Sequence, residues 1–419
     1  MSNIVDIYDI SYEGAGVGRI DGQVVFVPKA LKNEKVAVEI TKQNANFLVG
    51  KLERVIVASE RRIEPNCKYF AECGGCDFQQ CDYLLEQEIK VNILKKELSK
   101  VGYDGEITLV PSERRFGYRN KIKLEIKDGK LGYFKAKSRE FLEIGSCAIA
   151  TQKINDCFDK IESFIEKNNF SGLKSVYIKQ VGSSIGICFL FEKKCRFSPK
   201  KVKNLDFFEG KLVFFAFGDV LESNSTKIFK VYGSGKLTKS FNGIQIGVDI
   251  SAFNQINDEI EGKLYEYIVQ QCVGKRVINA YSGQGLLTYE IAKKAKFVYG
   301  IEYQISAHES AERLSALSEE YKIENICGRV EQCLGGVLLR DKIDCIVLDP
   351  AREGCDKKVL DEILKSKIES VIYVSCNFST LVRDLKVLCV DYAVETVKIF
   401  DMFACCAGFE TVAIIKRKV

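Results

Sequence analysis

V-I-N-A-Y-S-G-Q-G-L-L-T, Val277 to Thr288, carries an apolar strand through a turn holding Gly283 and Gly285 into an apolar helix start. Outward from it, strand-like runs at Arg276–Ala280, Phe297–Glu302, Asn325–Cys327, Asp344–Leu348 and Ser370–Ser375 alternate with helical stretches. The helices fall near Leu286–Lys294, Ser306–Tyr321, Lys357–Lys365 and Thr380–Leu388, and two β segments, Ala393–Phe400 and Glu410–Lys416, follow. Strands alternating with helices predict a doubly wound, Rossmann-like α/β sheet over residues 251–419, its last two segments able to pair as a hairpin.

Gly283 and Gly285 let backbone approach a nucleotide-type cofactor closely. Thr288 stands where a dinucleotide fingerprint has its third glycine, which disfavours nicotinamide. Glu302 ends the next strand, placed to accept hydrogen bonds from both ribose hydroxyls, which suits S-adenosylmethionine.

Residues 1–58 read as a small β-barrel of five short strands of the oligonucleotide-binding kind, with Asp21-Gly22 as a hairpin turn. Residues 59–250 read as a central α+β domain. It opens with a cysteine-rich segment and an amphipathic helix, Tyr83–Lys100, and its clearest later helix is Asn155–Asn168.

At 419 residues the chain exceeds one typical core, and 46% hydrophobic with 28% charged residues marks a globular protein. The net charge of +5 is mild, so local clusters carry the electrostatic information. Asp6, Asp9, Glu13 and Arg19 interrupt the first twenty residues, unlike a secretory leader, and no apolar run spans a bilayer. A cytoplasmic protein with reduced thiols is expected, and its 17 cysteines are read as ligands or nucleophiles before disulfides. His308 is the only histidine, so general-base chemistry falls to carboxylates.

Cys376, in V-S-C-N, follows a parallel strand on the rim where such sheets carry their sites, and Asp349 ends the preceding strand. Any one of 17 cysteines is more often core than catalytic; position beside Asp349 singles out Cys376. A thiolate on this rim can add to C6 of a uracil and make C5 a carbon nucleophile toward a methyl sulfonium. A carboxylate must then remove the C5 proton, and Glu410 is the candidate. Cys67-x5-Cys73-Gly74-Gly75-Cys76 has ligand-like spacing for zinc or an iron–sulfur cluster, with Cys81 or Cys147 as fourth ligand.

Phe253-Asn254-Gln255-Ile256-Asn257, D-P-A-R-E-G at Asp349–Gly354, Y-V-S-C-N at Tyr373–Asn377 and D-M-F…E-T-V at Asp401–Val412 together resemble the RNA uracil-C5 methyltransferases. The resemblance covers essentially the whole chain, and residues 1–58 are similar to a TRAM domain. It implies Cys376 as nucleophile, Glu410 as proton-abstracting base, and Gln255, Tyr281, Glu302 and Asp349 beside S-adenosylmethionine or the target base. It also implies a [4Fe-4S] cluster on Cys67, Cys73, Cys76 and Cys147.

Four places depart from the family pattern: Asn279 for an acid, Arg329 for an acid, Phe378 for a proline, and Ala404-Cys405-Cys406 for a proline- and histidine-rich stretch. RNA is the expected partner, with no membrane and no obligate protein partner evident. Arg114–Lys123, which interleaves Phe116 and Tyr118 with cations, is the candidate contact, whereas Lys193–Lys203 reads as a solvated face. Barrel and cluster together are typical of members acting on 23S ribosomal RNA. A tRNA uracil-C5 methyltransferase, an inactive RNA-binding relative and an iron–sulfur redox protein are the competing readings.

Overall fold

The computed structural model describes residues 3–195, 202–221, 226–241, 244–318 and 320–418. Residues 196–201 of the charge run Lys193–Lys203 lie outside that set. The chain forms two units: Met1–Arg62 with Cys81–Glu113 and Glu259–Val419, and Ile63–Gln80 with Arg114–Asp258.

In the first unit six strands, one more than the sequence suggests, make the N-terminal sheet. Their order is Asn3–Asp6, Lys35–Gln43, Phe47–Val57, Gln23–Pro28, Ala15–Ile20 and Asp9–Ile10. Alternate residues turn inward, so Val5, Val25, Val27, Val36, Val38 and Leu48 form its core. The sheet curls tightly where glycine permits it: a Cβ on Gly50 would meet Val38 Cγ1 at 2.1 Å. Buried Glu34 closes one end, accepting from Leu31 N at 2.8 Å and Arg62 Nη2 at 2.8 Å.

The same unit holds an eight-stranded sheet. Its order is Ile323–Cys327, Phe297–Glu302, Arg276–Ala280, Cys345–Leu348, Ser370–Ser375, Glu410–Arg417, Tyr392–Phe400 and Ile107–Val110. The first five strands run parallel, and Cys345–Leu348 and Ser370–Ser375 are buried at every position, as a sheet covered on both faces requires. Glu410–Arg417 enters antiparallel between Ser370–Ser375 and Tyr392–Phe400, which brings Glu410 into the row beside Phe400.

In this unit the helix expected over Ser306–Tyr321 spans Ile305–Ser315, and two more elements differ from the sequence reading. Ile107–Val110, placed above in the central segment, pairs in parallel with Val397–Phe400 as the edge of this sheet. Val330–Arg340 is a helix that Gly335-Gly336 concealed by breaking its apolar periodicity.

The second unit is α+β. Its seven-stranded sheet runs Phe141–Glu143, Lys130–Phe134, Lys121–Lys127, Leu173–Val181, Ser184–Phe191, Leu212–Phe217 and Lys227–Tyr232. The helix Phe158–Asn168 lays Phe164 against Phe189 and Phe208, with ring centroids 5.2 and 5.0 Å apart. The stretch expected as one helix from Asn155 breaks at Cys157, after a short turn Gln152–Asn155. The cysteine segment is sewn to the sheet by Ala136 N donating to Glu72 O at 2.9 Å and Gly145 N to Tyr69 Oη at 2.8 Å.

Within the first unit, the helix Tyr83–Leu98 carries a fully buried ammonium. Lys90 Nζ donates to Glu86 Oε1 at 2.8 Å, to Asp401 Oδ1 at 2.7 Å and to Phe403 O at 3.2 Å. Tyr83 Oη donates to the other Asp401 oxygen at 2.6 Å, and Cys405 N to Glu86 Oε1 at 2.7 Å. Burial by itself would lower the Lys90 pKa, but Asp401 and Glu86 hold it above the ordinary lysine value. The loop 401–407 is thereby fixed to the helix. Removing the cation strands two buried carboxylates, so Lys90→Met should cost about 3–5 kcal/mol, measured by urea unfolding. A loss below about 1 kcal/mol would contradict this role.

Candidate active site

The strand Arg276–Ala280 ends in a turn of left-handed residues, Tyr281 at φ 63, Gly283 at φ 56 and Gly285 at φ 82. Gly285 must lack a side chain, because its Cβ would lie 2.6 Å from that of Ala311. Gly283 faces open space instead: nothing lies within 4 Å of the Cβ position. That leaves a bare backbone cradle beside Glu302. The Glu302 carboxylate is held by Gly283 N at 3.0 Å and Gln304 N at 2.7 Å, one bond to each oxygen. Each oxygen keeps lone-pair capacity for a further donor, the geometry a ribose diol needs.

Asn279 and Thr288 explain each other. The buried Asn279 amide donates to Thr288 Oγ1 at 2.8 Å, so the position that is glycine in a dinucleotide fingerprint here satisfies the asparagine. Arg329 lies over the Tyr303 ring at 5.5 Å and within 3.7 Å of Glu331, which gives this edge of the cofactor cradle a cation–π pair. Tyr281 meets Cys355, whose backbone N–H donates to Asp384 Oδ2 at 2.8 Å; Tyr373 Oη donates to the same oxygen at 2.6 Å. This buried network underlies the rim.

On the rim, Cys376, Asp349, Glu410 and Arg352 share one electrostatic neighbourhood. Burial raises the Asp349 carboxyl to about 7. Burial, then the charge of Asp349, lifts Glu410 well above the ordinary carboxylate range. The Cys376 thiol is pushed up to about 11 by burial and by Glu410, against the opposing pull of Arg352. Arg352 stood inside a quoted motif without a role. Its backbone oxygen is clamped by Asn377 Nδ2 at 2.9 Å and Thr380 Oγ1 at 3.2 Å, so the guanidinium starts from a fixed point.

Asn377 also caps the next helix, its Oδ1 accepting from Ser379 N at 3.1 Å. The structure thus brings Cys376, Glu410 and Asp349 to one rim, together with Tyr281, Gly283, Gly285 and Glu302. Gln255 belongs to the second unit, where it is buried and its carbonyl accepts from Asn120 Nδ2 at 3.0 Å.

In the second unit Cys67, Cys73, Cys76 and Cys147 line one cavity of ≈ 190 Å³ with Tyr69, Arg119 and Tyr133. Cys81 is not part of it: it is fully buried in the first unit, bridged to Arg62. Burial raises the Cys147 thiol, while the backbone N–H groups of Ala150 and Ile149 and the Arg119 charge pull it back. Among the described residues no three His, Cys, Asp or Glu side chains stand in ion-ligating array. Tyr133 and Arg119, which sequence spacing could not connect to the cysteines, supply the polar wall. Of the Arg114–Lys123 stretch, Arg119 is committed to this cavity, and Lys121 lies over the exposed Phe253 ring at 5.9 Å. No helix among the described residues is long and apolar enough to cross a membrane.

A parallel sheet with a glycine cradle, an acid at the end of the neighbouring strand and an antiparallel last strand inserted before the edge is the class I methyltransferase architecture. Residues 4–52 match the TRAM domain model, and residues 242–418 match that of tRNA (Uracil-5-)-methyltransferase. An RNA methyltransferase of Caldanaerobacter subterraneus subsp. tengcongensis is 30% identical, with 99% of this chain and 97% of the relative covered. One from Listeria innocua is 28% identical over 98% and 97%. The solved Pyrococcus abyssi tRNA (uracil-54, C5)-methyltransferase, in complex with S-adenosyl-L-homocysteine, superposes with a TM-score of 0.78 at 20% identity, covering 99% and 100%. The chain belongs to the TRAM-carrying RNA uracil-C5 methyltransferases.

The raised thiol has a direct consequence. Below a pKa of about 11 the Cys376 thiolate fraction grows about tenfold per pH unit, so carbamidomethylation at Cys376 should climb through about pH 8 to 10 without a plateau. Glu410→Gln removes a repelling charge and should shift the profile to lower pH; Arg352→Ala should shift it higher. A plateau below about pH 9 would contradict this environment.

Proposed function

We propose that this enzyme methylates C5 of a uridine in 23S ribosomal RNA, with Cys376 adding to C6 and Glu410 removing the C5 proton. The observation that carries the reading is the shared rim of Cys376, Asp349 and Glu410, next to the open glycine cradle and Glu302. S-adenosylmethionine, held by Gly283, Gly285, Tyr281, Glu302 and Asp349, supplies an electrophilic methyl group there. Gln255 is kept as a cofactor-side residue on the sequence resemblance.

The order of proton movements follows from the environment. Cys376 is a thiol at neutral pH and gives up its proton to solvent water as it adds to the base, which leaves Glu410 free for the C5 proton. Arg352 stabilises the thiolate that forms, and Glu410 raises the cost of that step if it is charged. Addition at C6 places negative charge on the uracil O4 and gives C5 its nucleophilicity; the methyl group then transfers to C5. Glu410 next takes the C5 proton, and the C6–S bond breaks to restore the ring and release Cys376. Burial raises the proton affinity of the Glu410 carboxylate, which suits it to accept the C5 proton. The target base must leave its stack to present C6.

We further propose that Cys67, Cys73, Cys76 and Cys147 hold a [4Fe-4S] cluster. The cavity that the four cysteines help to line is roomier than a single tetrahedral ion needs, and the backbone N–H groups of Ala150 and Ile149 reach Cys147, as hydrogen bonds that tune cluster sulfurs do. The cluster has no electron-transfer role in methyl transfer, and its place is structural or RNA-contacting. Cys147→Ser should lose iron and visible absorption on anaerobic purification, whereas Cys81→Ser should keep both; the opposite pattern would move the fourth ligand.

The choice of 23S RNA rests on the combination of barrel and four-cysteine cavity. The tRNA specificity of the Pyrococcus enzyme is the second reading, favoured by its match over nearly the whole chain. Trapping decides between them. RNA substituted with 5-fluorouridine cannot lose fluorine as a proton, so the methylated adduct stays on the protein. With S-adenosylmethionine present, 23S RNA should give a stable complex that Cys376→Ala abolishes, and bulk tRNA should give none. Trapping on tRNA alone would move the substrate, and no adduct on either RNA would overturn the reading.

A further inference from the structure

Phe378, which replaces the usual proline after S-C-N, starts the helix Phe378–Leu388 two residues beyond Cys376. Its ring stacks on Phe409, with centroids 5.6 Å apart and planes at 16°. Phe409 is buried and immediately precedes Glu410, so this stack joins the turn bearing the nucleophile to the strand bearing the base. On its other side Phe378 meets Tyr12 edge-on, centroids 6.2 Å apart at 78°. An aromatic row therefore runs from the buried start of the Glu410 strand out to the N-terminal barrel.

Tyr12 is 60% exposed, yet the turn that carries it is tightly built. Ser11 N donates to Ala15 O at 2.8 Å, Gly14 N to Ser11 O at 2.9 Å, and Ala15 N to Ser11 Oγ at 3.1 Å. Lys96 Nζ reaches Asp9 Oδ1 at 2.7 Å and ties the hairpin to the helix Tyr83–Leu98. Most of the tyrosine surface stays open to a ligand. The exposed guanidinium of Arg352 lies on the same rim, where it can meet a phosphate.

A uridine that leaves its stack exposes the face of its neighbour, and a rigidly held aromatic ring can replace the lost partner. We propose that Tyr12, backed by Phe378, forms a stacking subsite for an unpaired RNA base adjacent to the target uridine. The subsite deepens the RNA-methylation reading and rests on it. None of the chemical steps uses these rings; they set where the strand lies while Cys376 attacks.

The chain contains no tryptophan, so Tyr12→Trp places a single fluorescent reporter on the platform. Titration with a 3′-fluorescein oligouridylate reads binding by anisotropy and stacking by tryptophan emission in the same sample. Quenching that tracks the anisotropy is expected. Leu339→Trp, on an exposed helix position, should bind the RNA without quenching. Tyr12→Ala should weaken binding about tenfold with unchanged thermal midpoint, and Tyr12→Phe should restore it. Binding without quenching in Tyr12→Trp, or undiminished binding by Tyr12→Ala, would overturn the subsite. Absence of any anisotropy change with the wild-type protein would overturn it at its root, by removing the RNA reading itself.

Discussion

The buried ammonium of Lys90 fixes where the Glu410 carboxylate can be. It ties Asp401 and the Phe403 carbonyl to the helix Tyr83–Leu98, while Glu86 takes the Cys405 N–H from the same loop. Three residues after this anchored stretch comes Glu410, in register beside Phe400. With the loop held at both ends, Glu410 enters the sheet antiparallel to the strand that delivers Cys376. Cys376 and Glu410 come from neighbouring strands, and their separation is set by the sheet ladder, not by a flexible loop.

The electrostatics of the rim follow from that burial. Two carboxyl groups and a thiol, sharing one neighbourhood with a single guanidinium, cannot all be ionised at neutral pH without large cost. Burial raises all three: Asp349 to about 7, Glu410 well above the ordinary carboxylate range and the Cys376 thiol to about 11. Such a site is quiet until a base enters. Entry of the uracil displaces water and supplies an acceptor for the charge that thiol addition creates. The same economy explains why one histidine suffices for the whole chain: burial tunes a carboxyl group toward the pH at which an imidazole would otherwise serve.

Much of this was legible in the sequence. The alternation from Arg276 to Ser375, the two glycines after the first strand and Cys376 at a strand end are local signals, and the structure carries them as parallel strands and a left-handed turn. The parts that sequence could not show depend on distant pairing. Ile107–Val110 joins the C-terminal sheet by pairing with Val397–Phe400, 290 residues further along the chain (397 − 107). Lys90 looks like any solvated helix cation until Asp401 arrives, and Val330–Arg340 is hidden by its own glycines. Thr288 read as a missing glycine and is instead the partner of Asn279. The stack of Phe378 on Phe409 was invisible because one ring starts a helix and the other precedes a strand 32 residues later (410 − 378).

The central claim is that Cys376 and Glu410 divide the chemistry, one adding to C6 and the other removing the C5 proton. Tritium release from RNA containing [5-3H]uridine, followed in a single turnover with S-adenosylmethionine, tests that division most directly. Wild type should release tritium, and Cys376→Ser should form no adduct and release none. Glu410→Gln should build a methylated covalent complex that retains its tritium. Release at the wild-type rate from Glu410→Gln would contradict the assignment of the base, and release from Cys376→Ser would contradict covalent addition.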